Sequence, residues 1–565
     1  IGDGNIAIGY QSMQNASAAG LHRNIAIGYQ TMANVGSNGP DDNVAIGYQA
    51  ANTLTTTTGA VIIGSKAGHG VTTSNQIIAI GFEALGEVTS HGDYSSAVGF
   101  EAGRYATGSS NAFFGYKAGR GGTTSAPFSS GQYNTAVGAY ALDAFTTGTQ
   151  NVAIGWEAAT SLTTGYYSTL IGTRAGRSIT TGNTNTFIGW QSGYAVTDTS
   201  NKTAIGYRAG YADGGAMDVH IGYEAGRNVT AGDNIGIGRG AGTGYHGVGQ
   251  TEFQSNTTNR YNISIGTFAG TKAIGTNSVN VGHNAGYYAT GSNNTFVGSA
   301  AGKGGTTSAP YSSGQNNVAL GYQALTNFTT GGANVALGHS ALKNIASGQS
   351  NIAIGYQALL DADNNEEFNI AIGTNAMENL NYNGSGNNIA LGLNAMQGGS
   401  ITAQITDNIA IGQYTLASIT TADEQVAIGG WALYGLTTGT ANIAIGYEAL
   451  KTEDTGDFNT AIGYQALRTQ NRDGTVNNTA VGYKAGYAVT TGYGNVFLGG
   501  NAGVSTTTGF SNVIIGADTA DNLTIGDYNT AVGTGALGTE DVGRGTTAIG
   551  YQALYSQNSD SNDEE

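Results

Sequence analysis

The sequence predicts an all-β fold, a narrow parallel β-solenoid. One short repeat covers the chain, its residues alternate in polarity, and its turns are rich in glycine and threonine. The glycine of the motif Asn-x-Ala-Ile-Gly-Tyr recurs 31 times between Gly9 and Gly550, most often at a spacing of 17 residues. We call this residue the reference glycine. Helical repeats are about 33 to 47 residues long, so a coil of β-structure suits this period better.

The alternation within each copy predicts a strand, since side chains on a strand point to opposite faces in turn. By parity we expect Ile6, Ile8 and Tyr10 to share the inner face and Ala7 to lie on the other face. The residue before the reference glycine is apolar in all 31 copies, which predicts a structural ladder filling the interior. Representative members of that ladder are Ile8, Ile27, Ile46, Ile154, Ile354, Ile445 and Ile462.

Three other slots of the repeat complete the prediction. Asn stands four residues before the reference glycine in 22 copies, where stacked coils would let its amides bond as a ladder. Ala stands three residues after the glycine in 26 copies, and such small residues let backbones approach closely. Thr-Thr-Gly, as at 163–165, marks a tight turn. Each coil should therefore hold two short strands and two turns.

The chain is predicted to be a single repeat domain, 1–565, of about 31 coils, with loop insertions near 120–133, 242–261 and 303–316. Stacked at about 4.8 Å, the coils would make a rod on the order of 150 Å long. The first and third insertions match each other at an offset of 183 residues, which indicates duplication of a multi-coil block. The opening residues resemble an internal junction at 525–529, so the chain is expected to begin inside a repeat.

Composition excludes several classes of protein. Glycine supplies 94 residues and charged residues only 10%, with 3 prolines and no cysteine, so neither collagen nor a disulfide scaffold fits. A net charge of −17 without a basic stripe argues against nucleic-acid partners. No run of about 18 apolar residues occurs, so no membrane insertion by a helix is expected in this segment.

The sequence predicts no enzyme, with no catalytic, cofactor or metal site. The seven histidines lack zinc-ligand spacing, and no cysteine could assist them. Glu83 and Glu101 fill the same slot of successive coils and are the nearest approach to a paired-carboxylate glycosidase site, yet they read better as surface acids. Tyrosines after the reference glycine, such as Tyr29 and Tyr48, could stack on carbohydrate, but their parity favours burial at a corner.

The motifs Asn-Ile-Ala-Ile-Gly (5–9, 24–28, 351–355), Asn-Val-Ala-Ile-Gly (43–47, 151–155) and Asn-Thr-Ala-Val-Gly (134–138, 529–533) resemble the head repeat of YadA-like trimeric autotransporter adhesins. Similar repeats look to occur in phage tail fibres. The resemblance covers essentially the whole chain. It implies a left-handed β-roll, a homotrimer intertwined or side by side, and an extracellular place on a cell surface or virion. The coil is somewhat longer than that family's, and no stalk or membrane-anchor segment accompanies it.

Three functions follow as expectations. The first is a fibre segment for adhesion, bound to a cell-surface receptor or glycan through an inserted loop with exposed aromatic and basic residues. The second is a purely structural extracellular filament, in which coils pair end to end. The third, more remote, is an ice-binding solenoid with ordered threonines. The candidate receptor-contact residues are Tyr245, His246, Phe253, Arg260 and Tyr261; the alternative is that this inserted loop packs its aromatic side chains on its own stem.

Overall fold

The computed structural model describes most of the chain. The described residues are 2–15, 21–36, 39–87, 89, 92–122, 128–243, 260–272, 275–306, 311–362, 365–399 and 401–557. The chain divides into two compact units, unit 1 (Ile1–Asn280) and unit 2 (Val281–Glu565), with the boundary inside strand β16. Within the described ranges every regular element is a β-strand and none is a helix.

Unit 1 is a stack of short strands in chain order. They are β1 (Ile6–Ile8), β2 (Ile25–Ile27), β3 (Val44–Ile46), β4 (Val61–Ile63), β5 (Ile78–Ile80), β6 (Ser96–Val98), β7 (Ala112–Phe114), β8 (Thr135–Val137), β9 (Val152–Ile154), β10 (Thr169–Ile171), β11 (Thr186–Ile188), β12 (Thr203–Ile205), β13 (Val219–Ile221), β14 (Ile235–Ile237), β15 (Ile263–Ile265) and β16 (Val279–Val281).

Unit 2 repeats the same element. Its strands are β17 (Thr295–Val297), β18 (Val318–Leu320), β19 (Val335–Leu337), β20 (Ile352–Ile354), β21 (Ile370–Ile372), β22 (Ile389–Leu391), β23 (Ile409–Ile411), β24 (Val426–Ile428), β25 (Ile443–Ile445), β26 (Gly456–Asp457), β27 (Thr460–Ile462), β28 (Gly474–Thr475), β29 (Thr479–Val481), β30 (Val496–Leu498), β31 (Val513–Ile515), β32 (Thr530–Val532) and β33 (Thr547–Ile549).

The predicted parallel stacking is confirmed. In unit 1 each strand from β1 to β15 pairs in parallel with the next, and repeat positions meet their equivalents, as in Ile8↔Ile27 and Ile27↔Ile46. In unit 2 the three-residue strands from β17 to β33 do the same. Each unit is therefore a parallel β-solenoid with one such strand per coil.

The reference glycine ends each strand, and two features require glycine there. At Gly47 φ is +135°, a value that other residues rarely adopt. A Cβ on Gly47 would lie 2.5 Å from the carbonyl oxygen of Gly64 in the next coil. Glycines therefore stack on glycines, and the predicted close approach of backbones is confirmed.

The second strand predicted for each coil is mostly absent from the described residues. Only the two-residue pair β26–β28 and isolated bridges such as Ala106↔Ser129 occupy its place. After the reference glycine, alternate residues instead take positive φ, as Gln49 (+52°) and Ala51 (+51°) do. This turn still bonds from coil to coil, since the Gln49 N–H donates to the Tyr29 carbonyl (2.9 Å). The ladder of backbone hydrogen bonds thus continues where strand geometry stops.

The predicted assignment of inner and outer faces is wrong. The central residue of the strand points inward, so Ala26 and Ala45 are fully buried, while the residues flanking it are partly exposed. The strand itself contributes one inward side chain per coil, and in most copies that residue is alanine. Where the central residue is large, a facing glycine makes room, because any side chain at Gly119 would overlap Phe113. Ala50, in the predicted small slot, is also fully buried.

The predicted asparagine ladder is confirmed. The Asn43 side chain is buried; its Nδ2 donates to Asn24 Oδ1 (3.0 Å) and to the Thr57 carbonyl (2.8 Å). The Asn43 backbone N–H also donates to Asn24 Oδ1 (3.0 Å). One amide thus closes its own coil and binds the preceding one. This satisfies buried polar groups that would otherwise cost about 1–3 kcal/mol each.

The predicted block duplication agrees with the structure. Ala106↔Ser129 in unit 1 and Ala289↔Ser312 in unit 2 are equivalent bridges at the 183-residue offset. The buried ring pairs Phe113–Phe145 and Phe296–Phe328 both have centroids 5.7 Å apart. The centres of the two insertions, 123–127 and 307–310, lie outside the described residues.

Candidate functional site

The outward face of the strands is the first candidate interaction surface. This surface is centred on the ladder position before the reference glycine. The residue there is apolar in all 31 copies, yet it is partly or largely exposed in this single chain. Leu320 and Leu498 are each 44% exposed. We call this row of residues the outward stripe; it contains Ile8, Ile27, Ile46, Ile154, Ile354, Ile445 and Ile462.

An aromatic row runs beside the outward stripe, one residue after the reference glycine. The burial expected for these rings is wrong: Tyr29 and Tyr48 are 43% and 48% exposed. They stack face to face along the coils, with Tyr10–Tyr29 centroids 5.2 Å apart and Tyr29–Tyr48 centroids 5.4 Å apart. Unit 2 has an equivalent row in Tyr447, Tyr464 and Tyr483, with centroid spacings of 5.5 Å. Strand parity predicted the shared face correctly, but that face is the outer one.

The predicted receptor-contact loop is only partly described. Tyr245, His246 and Phe253 lie outside the described residues. Arg260 and Tyr261 lie at the return of the chain into β15, and both are exposed. The Arg260 carbonyl accepts a hydrogen bond from the Asn277 N–H (3.0 Å), which fixes the start of this coil.

Glu83 and Glu101, the pair considered for glycan cleavage, are joined by one arginine. Arg104 Nη2 lies 2.8 Å from Glu83 Oε2, and Arg104 Nη1 lies 2.8 Å from Glu101 Oε1. The guanidinium bridges the two coils, and Lys66 (3.9 Å from Glu83) and Lys117 (3.7 Å from Glu101) add positive charge beside the same acids. This pairing accounts for the repeated carboxylate slot as part of a structural ion-pair network.

A buried polar segment interrupts the apolar interior of unit 1 and was not foreseen. The central strand residue is Ala, Ile, Leu or Phe in 27 of the 31 three-residue strands that the structure describes. The four exceptions are consecutive: His220, Gly236, Ser264 and Asn280. They line a cavity of about 10 Å³, room for one water molecule, and among the described residues Asn280 Nδ2 has no hydrogen-bond partner.

A charged cluster adjoins this segment. Lys202 replaces asparagine in the ladder slot before β12, and Asp218 does so before β13. Lys202 Nζ lies 2.7 Å from Asp213 Oδ1, 2.6 Å from the Asp213 carbonyl oxygen and 3.8 Å from Asp218 Oδ2. His220 Nε2 lies 3.1 Å from Asp213 Oδ2, without the alignment of a hydrogen bond. All four side chains are at most 2% exposed.

The two carboxyl groups of this cluster, Asp213 and Asp218, have pKa values shifted in opposite directions. Burial, reinforced by the charge of Asp213, raises the pKa of Asp218 to about 7. Burial acts in the same direction on Asp213, but contact with His220 and Lys202 outweighs it and holds the pKa of Asp213 below its usual value. Asp213 is therefore the ionised partner of Lys202, while Asp218 exchanges a proton near neutral pH.

The same acids and histidine could be considered for a metal ion, because Asp213, Asp218 and His220 offer ligand atoms within 4.8 Å of one another. The Lys202 ammonium already lies among them, however, and supplies the positive charge. The cluster is accordingly better described as a buried lysine held against two acids. The sequence signal for this cluster is that charged residues, Lys202 and Asp218, replace asparagine in two successive ladder slots.

These features define the chain as a β-solenoid repeat protein with an apolar outward stripe and a buried charged cluster. Within the described ranges, no helix is long and apolar enough to cross a lipid bilayer. No protein-family model, curated protein or solved structure matches the chain.

Proposed function

We propose that the chain is a segment of a non-enzymatic extracellular fibre, a left-handed β-roll whose copies assemble as a homotrimer and carry adhesion to a cell-surface receptor or glycan. The observation that supports this most is the outward stripe. Its residue is apolar in every one of 31 copies, although each single chain leaves it partly or largely exposed. Contiguous exposed apolar surface on a soluble protein marks an interface.

Identical chains are the partners that fit the stripe best. The stripe recurs once per coil, so a second copy in parallel presents the same apolar residue at the same height along the axis. Covering a side chain such as Leu320, 44% exposed, contributes on the order of 1 kcal/mol at about 25 cal/mol per Å². Repetition over many coils makes this weak contact a strong one, and cyclic symmetry buries the stripe of every copy.

Adhesion is the part of the proposal that depends on surfaces outside the stripe. Residues that bind partners often lie on loops carried by a rigid scaffold, and a stack of coils is such a scaffold. Arg260 and Tyr261 are the exposed residues at the described edge of the longest insertion. The expected partner is therefore external to the fibre and contacts a basic and aromatic surface.

Assembly is tested with two double variants of the full chain. Leu320→Lys with Leu337→Lys places charge on the outward stripe, whereas Thr330→Lys with Thr438→Lys adds the same charge at exposed turns of unit 2. Light scattering after size exclusion should show smaller assemblies for the stripe variant only. Equal masses for both variants and the parent chain would refute the stripe as the interface.

Adhesion is tested separately on the parent assembly. A glycan array and binding to host-type cells, with Arg260→Ala/Tyr261→Ala as the comparison, should show binding that the variant weakens. An assembly that binds neither the glycans nor the cells, and whose length grows with concentration under the electron microscope, would refute adhesion and favour a purely structural filament.

A further inference from the structure

We propose that Lys202 and Asp213 condense with each other, so that unit 1 carries an intramolecular isopeptide bond between the two side chains. This modification goes beyond the proposed fibre and does not depend on it. The supporting geometry is a lysine amine and a carboxylate in contact and buried from solvent, with a second carboxyl group and a histidine beside them.

The two reacting groups are already in contact. Lys202 Nζ lies 2.7 Å from Asp213 Oδ1 and is anchored by the Asp213 carbonyl oxygen at 2.6 Å. The Gly215 N–H donates to Asp213 Oδ1 (3.0 Å), which leaves Oδ2 on the side of His220. Holding two reactants in contact replaces a bimolecular encounter and is worth several orders of magnitude in effective concentration.

The reaction balances without any added reagent. The Lys202 ammonium gives one proton to the Asp218 carboxylate, and this proton passes through His220 to Asp213 Oδ2, so that the free amine attacks Cγ of a neutral carboxyl group and forms the new N–C bond. The developing charge on Oδ1 is stabilised by the Gly215 N–H. The nitrogen then loses a second proton, the Cγ–Oδ2 bond breaks, and Oδ2 leaves as water carrying the two protons. His220, 3.1 Å from Oδ2, protonates the leaving oxygen and is reprotonated from Asp218.

Burial favours the product. An ammonium and a carboxylate lose their hydration in this interior at a cost of several kcal/mol per ion, whereas an amide is neutral. Asp218, with a pKa of about 7, can both accept a proton from Lys202 and give it up again, as a group that relays protons must. The cavity beside His220 has room for the released water. The bond would clamp residues 202 and 213 so that this coil could not open.

Mass spectrometry of the parent chain tests directly for the bond between Lys202 and Asp213. The intact protein should be lighter than its sequence by one water molecule. Trypsin should fail to cut after Lys202, and because Arg208 lies between the two residues, the digest should contain a branched peptide joining 178–208 to 209–227. A full sequence mass with normal cleavage after Lys202 would overturn the proposal.

A control separates this bond from another loss of water. Asp213 precedes Gly214, and an Asp-Gly pair can cyclise to a succinimide of the same mass change. A light protein whose Lys202 site is still cut would therefore also count against the cross-link. Lys202→Arg keeps the charge but removes the nucleophile, so it should have full mass and cleave at residue 202.

A third variant tests the role of Asp218 as the proton acceptor. Asp218→Asn keeps both reacting groups and removes the proton acceptor. General acid–base groups contribute about 10²–10⁴-fold, so the cross-linked fraction of freshly purified protein should drop at least tenfold. An unchanged fraction in this variant would remove Asp218 from the mechanism while leaving the bond itself to the parent measurement.

Discussion

The asparagine ladder of unit 2 offers the sharpest test of how the coils are held together. Asn351 is buried, and its Nδ2 donates to Asn334 Oδ1 (3.1 Å) and to the Glu366 carbonyl (2.7 Å), while its Oδ1 accepts from the Asn369 N–H (3.0 Å) and Nδ2 (3.2 Å). Asn351→Ala leaves buried groups in three coils without these bonds. Asn334 Oδ1 keeps its bond from the backbone N–H of residue 351 (3.0 Å), and Asn369 Nδ2 keeps its bond to the Ser385 carbonyl (3.1 Å). The Glu366 carbonyl and the Asn369 N–H each lose a bond, so at about 1–3 kcal/mol for each we expect a local loss of about 2–6 kcal/mol.

The matched control is Asn327→Ala, since Asn327 makes an exposed side-chain bond to Asn344 (2.9 Å) on the same unit. Its loss should be below about 0.5 kcal/mol. Long repeat arrays do not unfold in one step, so the readout is native-state hydrogen exchange of the β20 and β21 amides rather than a single midpoint. Equal exchange in the two variants would refute the view that the ladder binds coil to coil.

Two further predictions concern unit 2. Gly355→Ala should destabilise its coil by about 2 kcal/mol or more, because φ is +138° and the new Cβ would lie 2.5 Å from the Gly373 carbonyl oxygen. Gly500→Ala meets nothing within 4 Å and should change local stability by less than about 0.5 kcal/mol. Native-state hydrogen exchange of the strand amides beside each substitution is the readout, and equal changes in the two variants would contradict the glycine stack. Burial raises the pKa of Glu453 to about 7 from an ordinary 4.5, so between these values the folded chain keeps a proton that the unfolded chain has released. The local stability of the Glu453 coil should therefore fall by about 3 kcal/mol as pH rises from 4.5 to 7, and Glu453→Gln should abolish that contribution. Native-state hydrogen exchange of the amides around β26 at pH 5 and pH 8, corrected for the intrinsic exchange rates, measures it.

Much of the fold could be predicted because repetition makes register visible. Each reference glycine, such as Gly47, fixes where a strand ends, and equal positions of successive coils must meet. The asparagine slot was predictable for the same reason, since a polar residue recurring beside an apolar strand needs a partner that also recurs.

The choice of inner face could not be settled by alternation. Alternation says that Ile27 and Tyr29 share a side and Ala26 takes the other, but not which side is enclosed. Hydrophobicity alone predicted that the isoleucines point inward, whereas in the structure the smaller alanine occupies the interior at this position. Both faces of this strand carry apolar residues, and the sequence alone does not tell which of the two is enclosed.

The charged cluster shows a different limit. His220 and Asp218 were visible as departures from the repeat, yet only the fold brings Asp213, from the turn of the same coil, against Lys202 in the ladder slot. Spacings in the sequence carry no information on a contact between a turn and a ladder slot. Departures from a repeat, rather than its consensus, are where such chemistry should be sought.

The central claim is that the outward stripe is covered by other copies of the chain. Sedimentation equilibrium of the full-length protein across micromolar concentrations measures this most directly. Three times the chain mass of 57.1 kDa is the predicted result. A single chain of 57.1 kDa at every concentration would contradict the account.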